Sequence, residues 1–154
     1  MVSYVTYDIA IIGGGISSCV FTSSHIKNGF NGRIAIIEYG RDLGGRSSTR
    51  NSLANKGWQL NHGSPNFNIC NYTNNSLLKN FINQLLDKGF IQTDSSELNK
   101  MYANNDLKTK INSDFYSGEN YISKNSMSEL SWQIISLNKF KNQIDYFFKT
   151  LIVK

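Results

Sequence analysis

The sequence predicts an α/β fold that opens on a parallel strand–helix–strand unit, and three observations predict it. Tyr7–Ile12 (YDIAII) runs apolar straight into Gly13, Gly14 and Gly15. Residues 16 to 27 are small or β-branched and suit a helix between two sets of glycines. Arg33–Glu38 (RIAIIE) is a second apolar run without alternation. Short unbroken Ile-rich runs mark strands buried on both faces, as in parallel sheets. Two of them joined by a helix within about 30 residues make a βαβ crossover, expected to be right-handed.

Each later element has its own signal. Gly29 and Gly32 can end the first helix. The stretch 40–63 is loop-like and carries most of the remaining glycines. Leu77, Leu78, Phe81, Ile82, Leu85 and Leu86 recur at helical spacing as one apolar stripe. Ser76 or an Asn before it can cap that helix, and Gly89 can end it. From Thr93 to Lys124 the chain is polar and without clear period. Ser126 and Glu129 have the spacing of a capping box, so a further helix starts there. Ile144–Val153 (IDYFFKTLIV) reads as a last strand or two short ones.

Composition narrows the class. The 154 residues suffice for one ordinary domain with a buried core. The net charge of +5 is spread over scattered lysines, with no basic run and no stripe interleaved with aromatics. A nucleic-acid partner is therefore not expected. Cys19 and Cys70 have no metal or disulfide spacing. No metal site is expected, and a reducing, cytoplasmic setting is the default. The first residues lack the pattern of a signal peptide, and no apolar run reaches the ~20 residues that span a bilayer. A soluble protein with no membrane partner is expected.

The chemistry lies in two motifs. Gly13-Gly14-Gly15-Ile16-Ser17-Ser18 fits G-x-G-x-x-G/A, with Ser18 in the last place. Gly13 permits the tight turn out of the strand, and Gly15 lets a pyrophosphate reach the backbone. Position 18 must be small for the helix to lie close to the strands. The helix start at Ile16 and Ser17 offers free N–H groups and a partial positive charge. Glu38 closes the second strand roughly 20 residues further on, where a carboxylate can accept hydrogen bonds from ribose hydroxyls. Alone the glycines could serve packing; in register with strand, helix and acid they point to a dinucleotide. The second motif, Gly44-Gly45-Arg46, follows shortly after Glu38.

With that motif the chain resembles a family. YDIAIIGGGISS, then IAIIEYGRDLGGRSSTR, then WQLNHGSPNF are similar to the N-terminal part of FAD-dependent amine oxidases, most of all their renalase-like branch. The resemblance is strong over 7–67 and loose from 76 onward. It implies FAD as cofactor, lying extended across the domain. Gly13, Gly15 and the helix would hold the pyrophosphate, and Glu38 the adenosine ribose. Arg46 and Arg41 would supply positive charge near ribose and phosphates, with Gly44 and Gly45 letting backbone approach. Gly63 and Ser64 would lie near the flavin. Two positions depart from the pattern. Ser18 replaces a glycine or alanine, and Asn61 stands where the family often has an acidic residue.

The expected fold class is thus α/β, a truncated Rossmann-like FAD/NAD(P)-binding βαβ domain with the start of a substrate-domain insertion. Residues 1–72 would form the FAD-binding unit and flavin-proximal loop. Residues 73–143 would begin the substrate domain, and 144–154 would be an apolar strand returning to the first unit. The function implied is that of an FAD-dependent oxidoreductase; the alternative is a non-catalytic dinucleotide-binding module. His62 sits in the flavin-proximal segment, where a structural hydrogen bond weighs at least as much as an acid or base role; His25 reads as structural, and no catalytic residue is nominated. Self-association or a missing C-terminal half is expected to complete the protein.

Overall fold

The computed structural model describes residues 4–52, 57–69, 75–95, 100–101, 107–108, 118–138 and 142–153. They fold as two compact units, Met1–Pro65 with Asn125–Lys154, and Asn66–Lys124.

The first unit holds β1 (Ile9–Ile12), α1 (Ile16–Lys27), β2 (Ile34–Ile37), a short turn of helix at Gly45–Ser47, and a hairpin of β3 (Thr49–Asn51) and β4 (Gln59–Asn61). The second holds β5 (Phe67–Ile69), α2 (Ser76–Asp87), β6 (Ile91–Thr93), β7 (Lys100–Met101), β8 (Leu107–Lys108) and β9 (Glu119–Ser123). α3 (Met127–Ile135) and β10 (Ile144–Phe147) return to the first unit.

The central sheet has the order β1-β2-β10. Both pairings are parallel, and Ile34 stands opposite Ile9 on one side and Ile144 on the other. The unbroken IAII of β2 follows from this place, since Ile34, Ala35 and Ile36 are all buried. β1 carries the same four residues at an edge, and there Ile12 is 73% exposed. The strand read from 144 to 153 ends at Phe147. Past it, the Lys149 N–H bonds the Gly40 carbonyl and the Thr150 N–H that of Glu38.

α1 has no strong apolar stripe; it buries Cys19, Thr22 and Ser23. Small side chains allow close helix approach, and α3 packs there with Ser128, Leu130, Ser131, Ile134 and Ile135 buried. This packing draws 125–135 into the first unit, so the observed division differs from the 1–72, 73–143 and 144–154 read from sequence. Burial pushes the Cys19 thiol up to about 11. At neutral pH it is a packed thiol and no nucleophile. Cys70 lies outside the described residues. Trp132 of α3 lies beside Tyr146, ring centroids 5.0 Å apart, and donates its indole N–H to Asp42 Oδ1 at 2.7 Å.

The starts of the three strands are tied by one polar cluster. Arg33 Nη2 donates to Asp145 Oδ2 at 2.6 Å, the Tyr7 hydroxyl donates to the same oxygen at 2.9 Å, and the guanidinium lies over the Tyr7 ring. The Tyr7 hydroxyl bond, then the Arg33 bond, holds the Asp145 carboxyl below the usual carboxylate range. Burial, then Asp145, raises the Tyr7 phenol above its ordinary value. The signs are opposite. A lowered carboxyl contributes stability above its unfolded pKa and loses it as pH falls through the folded value; a raised phenol contributes below pH ~10 and loses it above the folded value. Thermal midpoints followed by circular dichroism should therefore drop at both extremes, and Asp145→Asn should flatten the acid arm. An unchanged acid arm in the variant would show that other carboxylates carry it.

In the second unit β9 is the middle strand of an antiparallel sheet ordered β5-β9-β6. Tyr121 and Ser123 are buried on one face of β9. α2 is capped by Asn75, whose side chain accepts from the Leu78 N–H. Of its apolar stripe Ile82 and Leu85 are buried, whereas Leu77 is 81% exposed in the first turn. α3 begins as its capping box predicts, with the Ser126 side chain accepting from the Glu129 N–H. The Glu129 carboxylate does not reach back to Ser126; it accepts from Asn125 and Gln133.

Candidate functional site

Three segments of the first unit converge beyond the end of β1. They are the glycine turn at 13–18, the loop from Glu38 to Ser47, and residues 61–64.

The glycines of the turn are not equivalent. Gly13 has φ +95°, a conformation that disfavours any side chain, and its N–H bonds the Ile37 carbonyl at 2.8 Å. Gly14 is confined by packing, since a Cβ there would stand 2.8 Å from Leu43 Cδ2 and 3.2 Å from Glu38 Oε2. Gly15 is the N-cap of α1, with φ −76° and ψ 175°, and a Cβ there would meet nothing within 4 Å. Neither the backbone conformation at Gly15 nor its surroundings exclude a Cβ. No side chain caps the helix, so the first-turn N–H groups of Ile16, Ser17 and Ser18 are left without a side-chain acceptor.

Glu38 lies against the turn. Its Oε2 accepts from the Gly14 N–H and its Oε1 from the Gly40 N–H, both at 2.5 Å. The Ser18 hydroxyl donates to the Gly13 carbonyl at 2.6 Å. Ser18 is thus more than a small residue that lets the helix approach.

The Gly44-Gly45-Arg46 loop is laid directly on the turn. Gly44 pairs with Gly15 as an isolated parallel bridge, and its N–H bonds the Gly14 carbonyl at 2.9 Å. A Cβ on Gly45 would stand 3.4 Å from the Gly15 Cα. Gly63 is tighter still, because a Cβ there would lie 1.8 Å from the Arg46 carbonyl oxygen. That oxygen accepts the Ser64 N–H at 2.7 Å. The structure therefore gathers Gly13, Gly15, Ile16, Ser17, Ser18, Glu38, Gly44, Gly45, Gly63, Ser64 and the Arg46 backbone. The Arg46 and Arg41 side chains are exposed.

Further residues support this loop. Thr49 and Ser128 exchange two bonds: the Thr49 N–H donates to Ser128 Oγ at 2.7 Å and the Ser128 N–H to Thr49 Oγ1 at 3.2 Å. Asn61 Oδ1 accepts from the Thr49 hydroxyl at 2.6 Å and from the Met127 N–H at 3.4 Å. Asn61 thus serves the start of α3, a task that needs an acceptor and no charge. His62 Nε2 lies 3.2 Å from the Ser48 hydroxyl. Sequence reasoning gave no role to Gly14, Leu43 or Ser128; of these only Gly14, the middle glycine of three, offered a signal. Among the described residues no group of three His, Cys, Asp or Glu is placed to hold a metal, and no helix is long and apolar enough to cross a membrane.

Residues 11–85 match the family described as NAD(P)-binding Rossmann-like domain. No curated protein matches the sequence. Among solved structures, wild-type putrescine oxidase bound to putrescine aligns with 21% identity and a TM-score of 0.44, over 70% of this chain and 22% of that one. The chain thus spans about a fifth of that protein's length. The parallel sheet, the glycine turn between β1 and α1 and the matched segment make this a mixed α/β, Rossmann-like dinucleotide-binding fold.

Proposed function

We propose that the first unit holds the adenosine and pyrophosphate of FAD, as the N-terminal part of an FAD-dependent oxidoreductase of the amine-oxidase kind. The observation that carries the reading is Gly15. Its backbone is ordinary and its surroundings are open, so the fold gives no reason for the missing side chain. A ligand approaching the backbone at the start of α1 does.

In this reading the Ile16, Ser17 and Ser18 N–H groups donate to pyrophosphate oxygens, and the α1 dipole adds to their field. The Glu38 carboxylate, held from behind by Gly14 and Gly40, accepts from the ribose hydroxyls. A 2′-phosphate there would meet a carboxylate, which disfavours NADP. Arg46, exposed beside the turn, balances the phosphate charge, and Arg41 adds to it at longer range. Gly63 and Ser64 border the isoalloxazine side. The cofactor, when bound, accepts a hydride from substrate; the residues of this chain bind and orient it.

The free edge of β1 supports a further part of the reading. No described strand pairs with it, while doubly wound sheets continue past the first strand. In this reading a further strand pairs at that edge and a cover closes over the flavin during turnover. The alternative, a module that binds a dinucleotide without turnover, shares this site.

Calorimetric titration with FAD and NAD tests cofactor choice. FAD should bind more tightly, and Arg46→Ala should weaken it roughly tenfold, the loss expected for one charge-assisted contact. A preference for NAD with no effect at Arg46 would refute the FAD assignment and leave the dinucleotide site standing.

A further inference from the structure

The turn that receives the pyrophosphate has three consecutive glycines, and glycine peptides rotate easily. That freedom threatens an anion site. A peptide flip between Gly13 and Gly14 would swing the Gly13 carbonyl toward the Glu38 carboxylate that now receives the Gly14 N–H, and would distort the turn that sets out the first N–H groups of α1. Every carbonyl of the turn is nevertheless taken. The Gly13 oxygen accepts the Ser18 hydroxyl at 2.6 Å, the Gly14 oxygen the Gly44 N–H at 2.9 Å, and the Gly15 oxygen the Cys19 N–H at 3.1 Å. The peptide joining Gly13 to Gly14 is held at both ends, because the Gly14 N–H donates to Glu38 at 2.5 Å. Of these bonds only that of Ser18 comes from a position where the usual glycine or alanine has nothing to donate.

We infer that Ser18 is a positioning residue for the pyrophosphate: its hydroxyl locks the Gly13–Gly14 peptide and so holds the triple-glycine turn in the shape that offers the α1 N–H groups to the anion. This rests on the dinucleotide reading of the site. The serine and the extra glycine form a matched pair, the one restraining what the other loosens. Ser18 touches the ligand through its backbone N–H alone; the side chain acts on the turn. Its removal should therefore be felt by ligands with a pyrophosphate and not by those without.

The test compares ADP and adenosine as probes, by isothermal titration calorimetry on the whole chain. Ser18→Ala removes the donor and keeps the helix, and Ser18→Thr keeps the hydroxyl. Ser18→Ala should weaken ADP binding about five- to tenfold, the worth of one hydrogen bond, and leave adenosine within about twofold. Ser18→Thr should restore ADP affinity. Equal losses for both probes, or no loss for ADP, would overturn the positioning role and leave the dinucleotide site intact. If the unaltered chain binds neither ADP nor FAD, the dinucleotide reading falls and this inference with it.

Discussion

Gly15→Val should abolish dinucleotide binding while the protein stays folded. Valine can adopt φ −76° and ψ 175°, and a Cβ there meets no protein atom within 4 Å. The cost to the fold is that of a poorer N-cap, up to about 1 kcal/mol. The cost to the ligand is larger. The branched side chain fills the space in front of the first turn of α1 and moves the pyrophosphate off its N–H donors. Hydrogen bonds to charged groups contribute about 1.5–3 kcal/mol each, so losing two of them weakens binding by at least ~100-fold. Flavin fluorescence titration reads the affinity, and circular dichroism the fold. Unchanged affinity in a folded variant would make the glycine turn a packing feature only.

Gly63→Ala should have the opposite profile, with the damage in the protein itself. The added Cβ would lie 1.8 Å from the Arg46 carbonyl oxygen and 3.5 Å from the Ser47 nitrogen. Neither neighbour is a side chain that could rotate away, so one backbone segment must move. Overpacking of this kind costs about 1–3 kcal/mol, and more where backbone meets backbone. The loop that moves is the one resting on Gly15, so FAD affinity should fall as well. Hydrogen exchange gives a local readout. The Ser64 N–H, bonded to Arg46, and the Ser47 N–H, bonded to Gly44, should both lose protection. Wild-type protection at both, with an unshifted thermal midpoint, would sink this account of Gly63.

What the sequence made legible is what depends on local chemistry. β1, α1 and β2 were readable because unbroken isoleucines between glycines leave few alternatives. Ser126 announced α3 three residues ahead of the N–H that it caps. β9 was not readable. Its burial alternates over five residues, but the buried pair is Tyr121 and Ser123, and a serine in an apolar position hides the period. The course of the chain at 125 was equally hidden, because α3 docks on a face of α1 whose small residues Cys19, Thr22 and Ser23 make no strong stripe. In the site, backbone needs were visible and side-chain partners were not. Gly13 and Gly15 fit a spacing rule. The bonds from Ser18 to Gly13, from Gly14 to Glu38 and between Thr49 and Ser128 join segments whose approach only the fold creates.

The placing of β2 also bears on how the chain acquires its structure. Ile34 finds Ile9 by closing a short loop through α1, but finds Ile144 only by closing one that contains the whole second unit. Closure entropy grows with the logarithm of loop length, so the longer closure costs about 1 kcal/mol more at equilibrium. The kinetic consequence is greater, because pairings distant in sequence form late. On the ribosome, β1, α1 and β2 emerge together and can pair while β10 is not yet synthesised. During that interval one edge of β2 is an apolar IAII run with no charge or proline to guard it. The nascent chain is therefore most open to wrong pairings at the strand that ends up most completely buried.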